Sequence, residues 1–157
     1  MIDLIETRLT HEGVTVIARR YNDQRLAEFP FDKARHAQGC DVAVMISLNT
    51  SQNPNAQFST NVVHMIQDQN TRSLFEGMMF SFGRYMPQVQ SRYPNQMKKI
   101  PFLETCKRKG TPAIICMPFF LTDRNLTEEL LGQYIESAAK AISEALLAYN
   151  PKGAVDE

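Results

Sequence analysis

Three histidines and three cysteines are the side chains of this chain best suited to bind a metal or attack a substrate. His11, His36 and His64 fall in different predicted elements. None has a second ligand type four residues away, as a helical zinc motif such as HExxH requires. We interpret them as surface or hydrogen-bonded histidines, with an intrinsic metal site as the alternative.

Two candidate nucleophiles stand at the ends of apolar runs. Cys116 ends the run TPAIIC and would act as a nucleophile if a histidine approached it, and a buried structural thiol is the alternative that we favour. Ser47 ends the run CDVAVMIS and lacks the GxSxG elbow that exposes a nucleophilic serine. The odd cysteine count, with no CxxC spacing, indicates a reducing compartment.

A basic segment runs from Arg84 to Lys109 with a single acidic residue. Aromatic residues are interleaved with its cations, a mixture that can hold the phosphates of a polyanion while the rings stack on bases or sugars. Three prolines interrupt it, and the alternative is a solvated, poorly ordered connection. Lys and Arg number 17, as do Asp and Glu, so net charge disfavours a nucleic-acid partner. The candidate polyanion-binding residues are Arg84, Arg92, Lys98, Lys99, Lys107, Arg108 and Lys109.

The elements that must position these side chains alternate between strand and helix patterns. Apolar and β-branched runs predict strands at residues 14–19, 40–47, 59–67 and 111–117. Spacings of three and four between apolar residues predict helices at 2–11, 69–86 and from a capping-box-like start at Asn125 to Tyr149, where Gly132 could divide the last one. A loop and helix closed by Gly39 is predicted for residues 24–39.

Strands with continuous apolar runs are typical of a sheet that is covered on both faces. The sequence therefore predicts an α/β fold, a single three-layer domain with a mainly parallel sheet flanked by helices, over residues 1–150, and a tail at 151–157. No apolar run approaches the ~20 residues of a membrane span, and acidic residues stand where a signal peptide needs basic ones. We expect no membrane association and a cytoplasmic or virion-associated protein.

Three blocks, in order, resemble the zinc-dependent N-acetylmuramoyl-L-alanine amidases (cell-wall amidase type 3), which cut peptidoglycan between sugar and stem peptide. GVTVIARRYND is similar to the family's strand that ends in Thr-Arg. CDVAVMISLN is similar to its block ADLFVSIHAN, and TPAIICMPFFLTD, followed by the last amphipathic segment, is similar to TPAVLVELGFLSN and the closing helix. The resemblance spans Ile2 to Tyr149.

The family binds zinc through His, Glu and His, and a further Glu acts on the metal-bound water. Matched by the resemblance, the third ligand falls at Ser47 and the catalytic Glu at Met117, while Asn49 keeps the family's asparagine. The other two ligands lie in segments that would precede Met1. Because a hydroxyl and a thioether are poor zinc ligands and Met117 cannot carry a proton, we expect no metal, no other cofactor, and Leu48 and Met117 filling the space of the metal.

The resemblance and its departures predict a catalytically inactive, amidase-like protein that acts by binding, in a structural or regulatory role, and a phage or mobile element is its expected source. The competing hypotheses are an active peptidoglycan hydrolase whose ligands are supplied elsewhere and a polyanion-binding protein. The family's first strand would also precede Met1. Either an added strand then covers a sheet edge, or the remaining strands pair directly with one another in a smaller sheet. The expected partners are a second copy or another protein, and a peptidoglycan fragment.

Overall fold

The computed structural model describes residues 1–19, 35–48, 61–64, 69–87, 100–121 and 125–149. The described elements are, in chain order, α1 (Ile2–His11), β1 (Ala43–Ile46), β2 (Asn61–His64), α2 (Gln69–Tyr85), α3 (Pro101–Arg108), β3 (Ala113–Met117) and α4 (Glu128–Ala148). Residues 20–34, most of the predicted second helix, lie outside the described ranges, as does the tail. Gly39 ends that segment at φ +81°, a conformation that favours glycine.

The described sheet has the order β1-β3-β2, with β3 in the centre. β1 runs parallel to β3, in a register that pairs Ala43 with Ala113 and Ile46 with Cys116. β2 runs antiparallel to β3 and places Val62 opposite Cys116. One of the two described pairings is therefore antiparallel, so the sheet is mixed.

Alternate residues of β3 pack into two separate cores, one on each face of the sheet. The first core contains Ile114 and Cys116 and is built against α1, α2 and α4. The second core contains Ala113 and Ile115 and is built against α3. Helices thus cover both faces, and the predicted three-layer α/β fold is confirmed.

The long helices follow the apolar periodicity of their sequences. In α2, apolar residues spaced four apart are buried: Leu74 is 1% exposed, Met78 0% and Phe82 2%. In α4, Ala138 and Ile142 are fully buried at the same spacing. α4 is continuous through Gly132, so the predicted division is wrong, and its N-cap is Thr127, whose Oγ1 accepts a hydrogen bond of 3.2 Å from the amide of Leu130.

Two predictions about secondary structure are wrong for physical reasons. Residues 14–19 form no strand, although they are rich in β-branched side chains, and Ile17 is 59% exposed there. β-propensity expresses the fit to a half-buried pleated surface, which this segment does not meet. Pro101, predicted to interrupt a disordered connection, instead begins α3, where its missing N–H costs nothing. Over the described ranges, no helix combines the length and apolarity needed to cross a bilayer.

Candidate functional site

Ser47 and Met117 lie next to each other where the two parallel strands end. Met117 is the last residue of β3, and Ser47 follows β1 directly. The amide of Ser47 donates a hydrogen bond of 2.9 Å to the carbonyl of Cys116, which extends the β1–β3 ladder by one step. Ligands of α/β sheets usually bind at this end of the strands. The structure therefore brings together the two positions that the sequence singled out.

Alternation along the strands places both residues on the face of the sheet that carries the second core. Met117 is half-buried and packs against that core, as Met45 does two residues before Ser47. Ser47 is exposed, and Leu48 is 38% exposed. Met117 thus packs against the second core, whereas Leu48 is partly exposed, and the filling of a metal's space by these side chains stays a prediction. Asn49 lies outside the described residues.

The donor atoms at this site do not suit a zinc ion. Zinc in proteins takes imidazole, carboxylate or thiolate ligands, whereas Ser47 offers a neutral hydroxyl and Met117 a thioether. Within the described ranges, no three side chains of His, Cys, Asp or Glu come together in a group that could hold a metal. Ser47 and Met117 therefore do not fit a zinc ion.

The three histidines lie on separate elements. His11 ends α1, with Nδ1 3.4 Å from Oε1 of the neighbouring Glu12, and its side chain is 84% exposed. His36 is exposed in the turn before β1. The backbone of His64 pairs with Ile114 at the far end of β2 from Asn61, the residue opposite Met117. The described backbone therefore places none of the three next to the Ser47–Met117 pair in the ladder.

Burial makes the thiol of Cys116 a poor nucleophile. Cys116 has no exposed surface, and this burial raises the pKa of its thiol far above the ordinary value. Burial likewise raises the pKa of Cys106 to about 11. Because the thiolate is the nucleophilic form, neither side chain is activated at neutral pH. The structural interpretation of Cys116 is the one that this environment supports.

The basic segment divides between the two faces of the sheet. Arg84 lies on α2, beside the first core, and Nη1 of Arg84 donates to Oε1 of Glu144 at 2.9 Å. Lys107, Arg108 and Lys109 cluster at the end of α3, on the opposite face, and Phe102 in that helix is only 6% exposed, too buried to stack on a base. The described cations thus form two groups. Arg92, Lys98 and Lys99 lie outside the described residues.

A polar cluster at the edge of the first core was not predicted from the sequence. The hydroxyl of Tyr85 donates a hydrogen bond to the carboxylate of Glu144, which also accepts from Arg84. The two donations lower the pKa of Glu144, and the bond to the carboxylate raises the pKa of Tyr85. The cluster borders an open cleft of about 660 Å³ between α1, the end of α2 and α4. Tyr85 and Glu144 are 59 residues apart, and no local pattern signals such a pair.

Comparison with known proteins gives matches among solved structures alone, since no protein-family model and no curated protein matches the chain. The CwlD amidase of Clostridioides difficile, solved in complex with the GerS lipoprotein, is 17% identical, with a TM-score of 0.75 over 98% of this chain and 82% of that chain. The catalytic domain of CwlV, an N-acetylmuramoyl-L-alanine amidase from Bacillus (Paenibacillus) polymyxa, is 16% identical, with a TM-score of 0.71 over 93% of this chain and 78% of that one.

A third match is the catalytic domain of the CD27L endolysin, which targets Clostridioides difficile; it is 16% identical, with a TM-score of 0.65 over 95% of this chain and 80% of that chain. At these identities the similarity shows the fold. The resemblance stated from the sequence is confirmed at that level: this chain has the fold of N-acetylmuramoyl-L-alanine amidases.

Proposed function

We propose that this chain, which has the fold of the peptidoglycan amidases, acts by binding and does not perform zinc-dependent hydrolysis. The observation that carries the proposal is the pair Ser47 and Met117, side by side at the carboxyl ends of β1 and β3. A hydrolase of the resembled type needs a metal ligand at the first position and a proton-carrying carboxylate at the second. A hydroxyl and a thioether supply neither function.

The proposed ligand is a peptidoglycan fragment or a protein. An exposed Ser47 and the sheet end around it keep hydrogen-bonding groups that suit an amide or a sugar, which are the groups that peptidoglycan presents. A protein partner is supported by the CwlD amidase, which was solved with the GerS lipoprotein bound. A phage or mobile-element origin and a cytoplasmic or virion-associated location belong to the same proposal, and the match to an endolysin domain supports that origin.

The second candidate function is an active peptidoglycan hydrolase whose ligands are supplied elsewhere. The observation in its favour is the coverage of the structural match, which extends over 98% of this chain. Polyanion binding has weaker support, because the described cations of the basic segment lie on opposite faces of the sheet.

The test combines metal analysis with two assays on purified protein. We expect substoichiometric zinc after exchange into zinc-containing buffer, no release of stem peptide from cell walls, and calorimetric binding of soluble peptidoglycan fragments that a chelator does not alter. Ser47→Trp should weaken this binding by blocking the strand end, while Ser73→Trp, at an exposed position on α2, should leave it unchanged.

Each result separates the candidate functions. Stoichiometric zinc together with release of stem peptide that a chelator abolishes would overturn the proposal in favour of the hydrolase. Binding that Ser47→Trp and Ser73→Trp leave equally strong would remove the strand end as the site. Failure to bind any peptidoglycan fragment, with no hydrolysis, would eliminate the carbohydrate ligand and leave the protein partner.

A further inference from the structure

β1 has a hydrogen-bonded neighbour on one side only in the described sheet. Its ladder to β3 is set by two backbone bonds of 2.9 Å, from the amide of Ala43 to the carbonyl of Pro112 and from the amide of Ser47 to the carbonyl of Cys116. In a β-strand the amide and carbonyl of one residue point to the same side, and successive residues alternate. Met45, between these two, therefore also bonds to β3.

The same alternation directs the amides and carbonyls of Val44 and Ile46 away from β3. No backbone hydrogen bond to either residue occurs among the described parts of the chain outside the β1–β3 ladder. Two donors and two acceptors thus face the open side of β1. An added strand is the structure that satisfies such a row of groups most completely.

The burial of β1 also indicates an open edge. Helices cover both faces of the sheet, since Val44 and Ile46 pack against the first core and Met45 against the second. All three residues are nevertheless only half-buried, whereas residues 113–116 of β3 are buried. Because helices lie on both faces of the two strands, this difference is the one expected between an edge strand and a central strand.

The sequence of this edge lacks the features that prevent an edge strand from pairing with another chain. Natural edges carry lysines, prolines, bulges or inward-pointing charges that discourage pairing with another chain. Residues 42–46 read VAVMI and contain no charge, proline or glycine. Such a run is typical of a strand with neighbours on both sides.

We propose that the open edge of β1 pairs with β1 of a second copy of this chain, in antiparallel orientation about a two-fold axis. A register centred on Met45 places Val44 opposite Ile46 of the second copy, and the reverse. Each such pair can exchange two hydrogen bonds, so the four outward groups of each copy are satisfied. The result is a sheet continuous through both copies, with helical layers on both faces.

A second copy is favoured over an unrelated strand by self-complementarity. The edge is purely apolar and presents its donors and acceptors in a pattern that matches its own two-fold image. The chain has a formal net charge of zero, so no overall charge repulsion opposes the association of two copies. The inference does not depend on the proposed loss of hydrolysis, since a hydrolase could pair in the same way.

Hydrogen exchange measured at single amides, together with solution mass, tests the proposal on the unmodified chain. We expect the mass to rise from one copy to two as concentration increases. Over the same range, exchange of the Val44 and Ile46 amides should slow by about tenfold or more, while that of the Ala43 and Met45 amides, bonded to β3, changes little. The peptidoglycan assays above are separate readouts, so failure of one proposal does not imply failure of the other.

The matched variants are Ile46→Pro and Ile46→Val. Proline at position 46 removes one amide that faces the open side of β1 and removes no hydrogen bond to β3. Ile46→Pro should therefore weaken dimerisation by about tenfold or more. Ile46→Val keeps the amide and should leave dimerisation unchanged. Should Ile46→Pro unfold the protein, as shown by circular dichroism, the exchange measurement still decides. A single-copy mass at all concentrations would overturn the proposal, and so would a dimer whose Val44 and Ile46 amides exchange freely. Protection of these amides in the single-copy state would also overturn it, because the chain itself would then cover the edge.

Discussion

On one face of the sheet, α1, α2 and α4 build the first core around large side chains such as Leu74 and Phe119. On the other face, the eight-residue helix α3 covers the second core, whose largest members are Phe102 and Leu103. The Ser47–Met117 pair faces the second core. Among the described helices, three pack on the first face and one on the second, and the candidate site lies on the second face, as is common for functional regions.

The largest effect that tests this difference is expected from Phe119→Ala in the first core. Phe119 is fully buried, and the centroid of its ring lies 6.2 Å from that of Tyr134. Removing the ring leaves a cavity between rigid elements, so the free energy of unfolding should fall by about 3–5 kcal/mol. Urea unfolding followed by circular dichroism measures the loss.

Leu103→Ala is the matched variant in the second core, where Leu103 is 2% exposed. Met45, Ile100 and Met117 at the margin of that core are only partly buried, so they can move toward the cavity. A loss of about 2–3 kcal/mol is therefore expected, at the low end of the range for leucine. A loss near the upper end of the leucine range, about 5 kcal/mol, would contradict the idea that the second core relaxes around the cavity.

The cysteines allow the two cores to be compared without destabilising substitutions. Cys106 belongs to the second core and Cys116 to the first, and both are fully buried. Native thiol labelling of either requires local opening, so Cys106 should react about tenfold faster than Cys116, equivalent to about 1.4 kcal/mol in opening free energy. Mass spectrometry of labelled peptides gives both rates, and the half-buried Cys40 serves as the fast reference.

Equal rates for Cys106 and Cys116 would show that the cores open as one cooperative unit. Labelling in denaturant supplies the control, because the three thiols should then react at similar rates. With burial removed, the raised pKa values of Cys106 and Cys116 return to the ordinary range.

The sequence predicted the first core better than the second, and the reason lies in the range of the interactions. The apolar stripe of α2 and the continuous face of α4 are local patterns with the helical period, and both helices form as expected. Residues 14–19 and Pro101 show the opposite case. Whether a β-branched run pairs, and whether a proline begins or breaks a helix, depends on neighbours that are distant in sequence.

The candidate site was placed by resemblance to a family and not by local pattern. Nothing in the runs around Ser47 and Met117 fixes the β1–β3 register, which joins residues far apart in the chain. The resemblance supplied both positions, and the structure places them side by side. Neither a family resemblance nor a local pattern indicated the hydrogen bond from Tyr85 to Glu144, so the sequence did not predict that cluster.

The smallest effect is expected from the polar cluster of Arg84, Tyr85 and Glu144 at the edge of the first core. The pH dependence of its effect on stability distinguishes a contribution from charge from a contribution from packing. The hydrogen bond from Tyr85 and the charge of Arg84 lower the pKa of Glu144 in the folded chain. A carboxyl with a depressed folded pKa contributes stability above its unfolded pKa, about 4.3, and that contribution is lost as pH falls through the folded value. Glu144→Gln should therefore lower the melting temperature slightly at pH 7.

The difference in melting temperature between the original chain and Glu144→Gln should shrink as pH falls through the depressed pKa of Glu144, because Glu144 then becomes protonated in the original chain as well. Glu76→Gln, at an exposed glutamate on α2 whose ion pair with Arg72 spans 3.7 Å, is the matched control and should change the melting temperature less. A difference that persists unchanged at low pH would mean that Glu144 acts through packing. The polar cluster would then be part of the first core and not an addition to its edge.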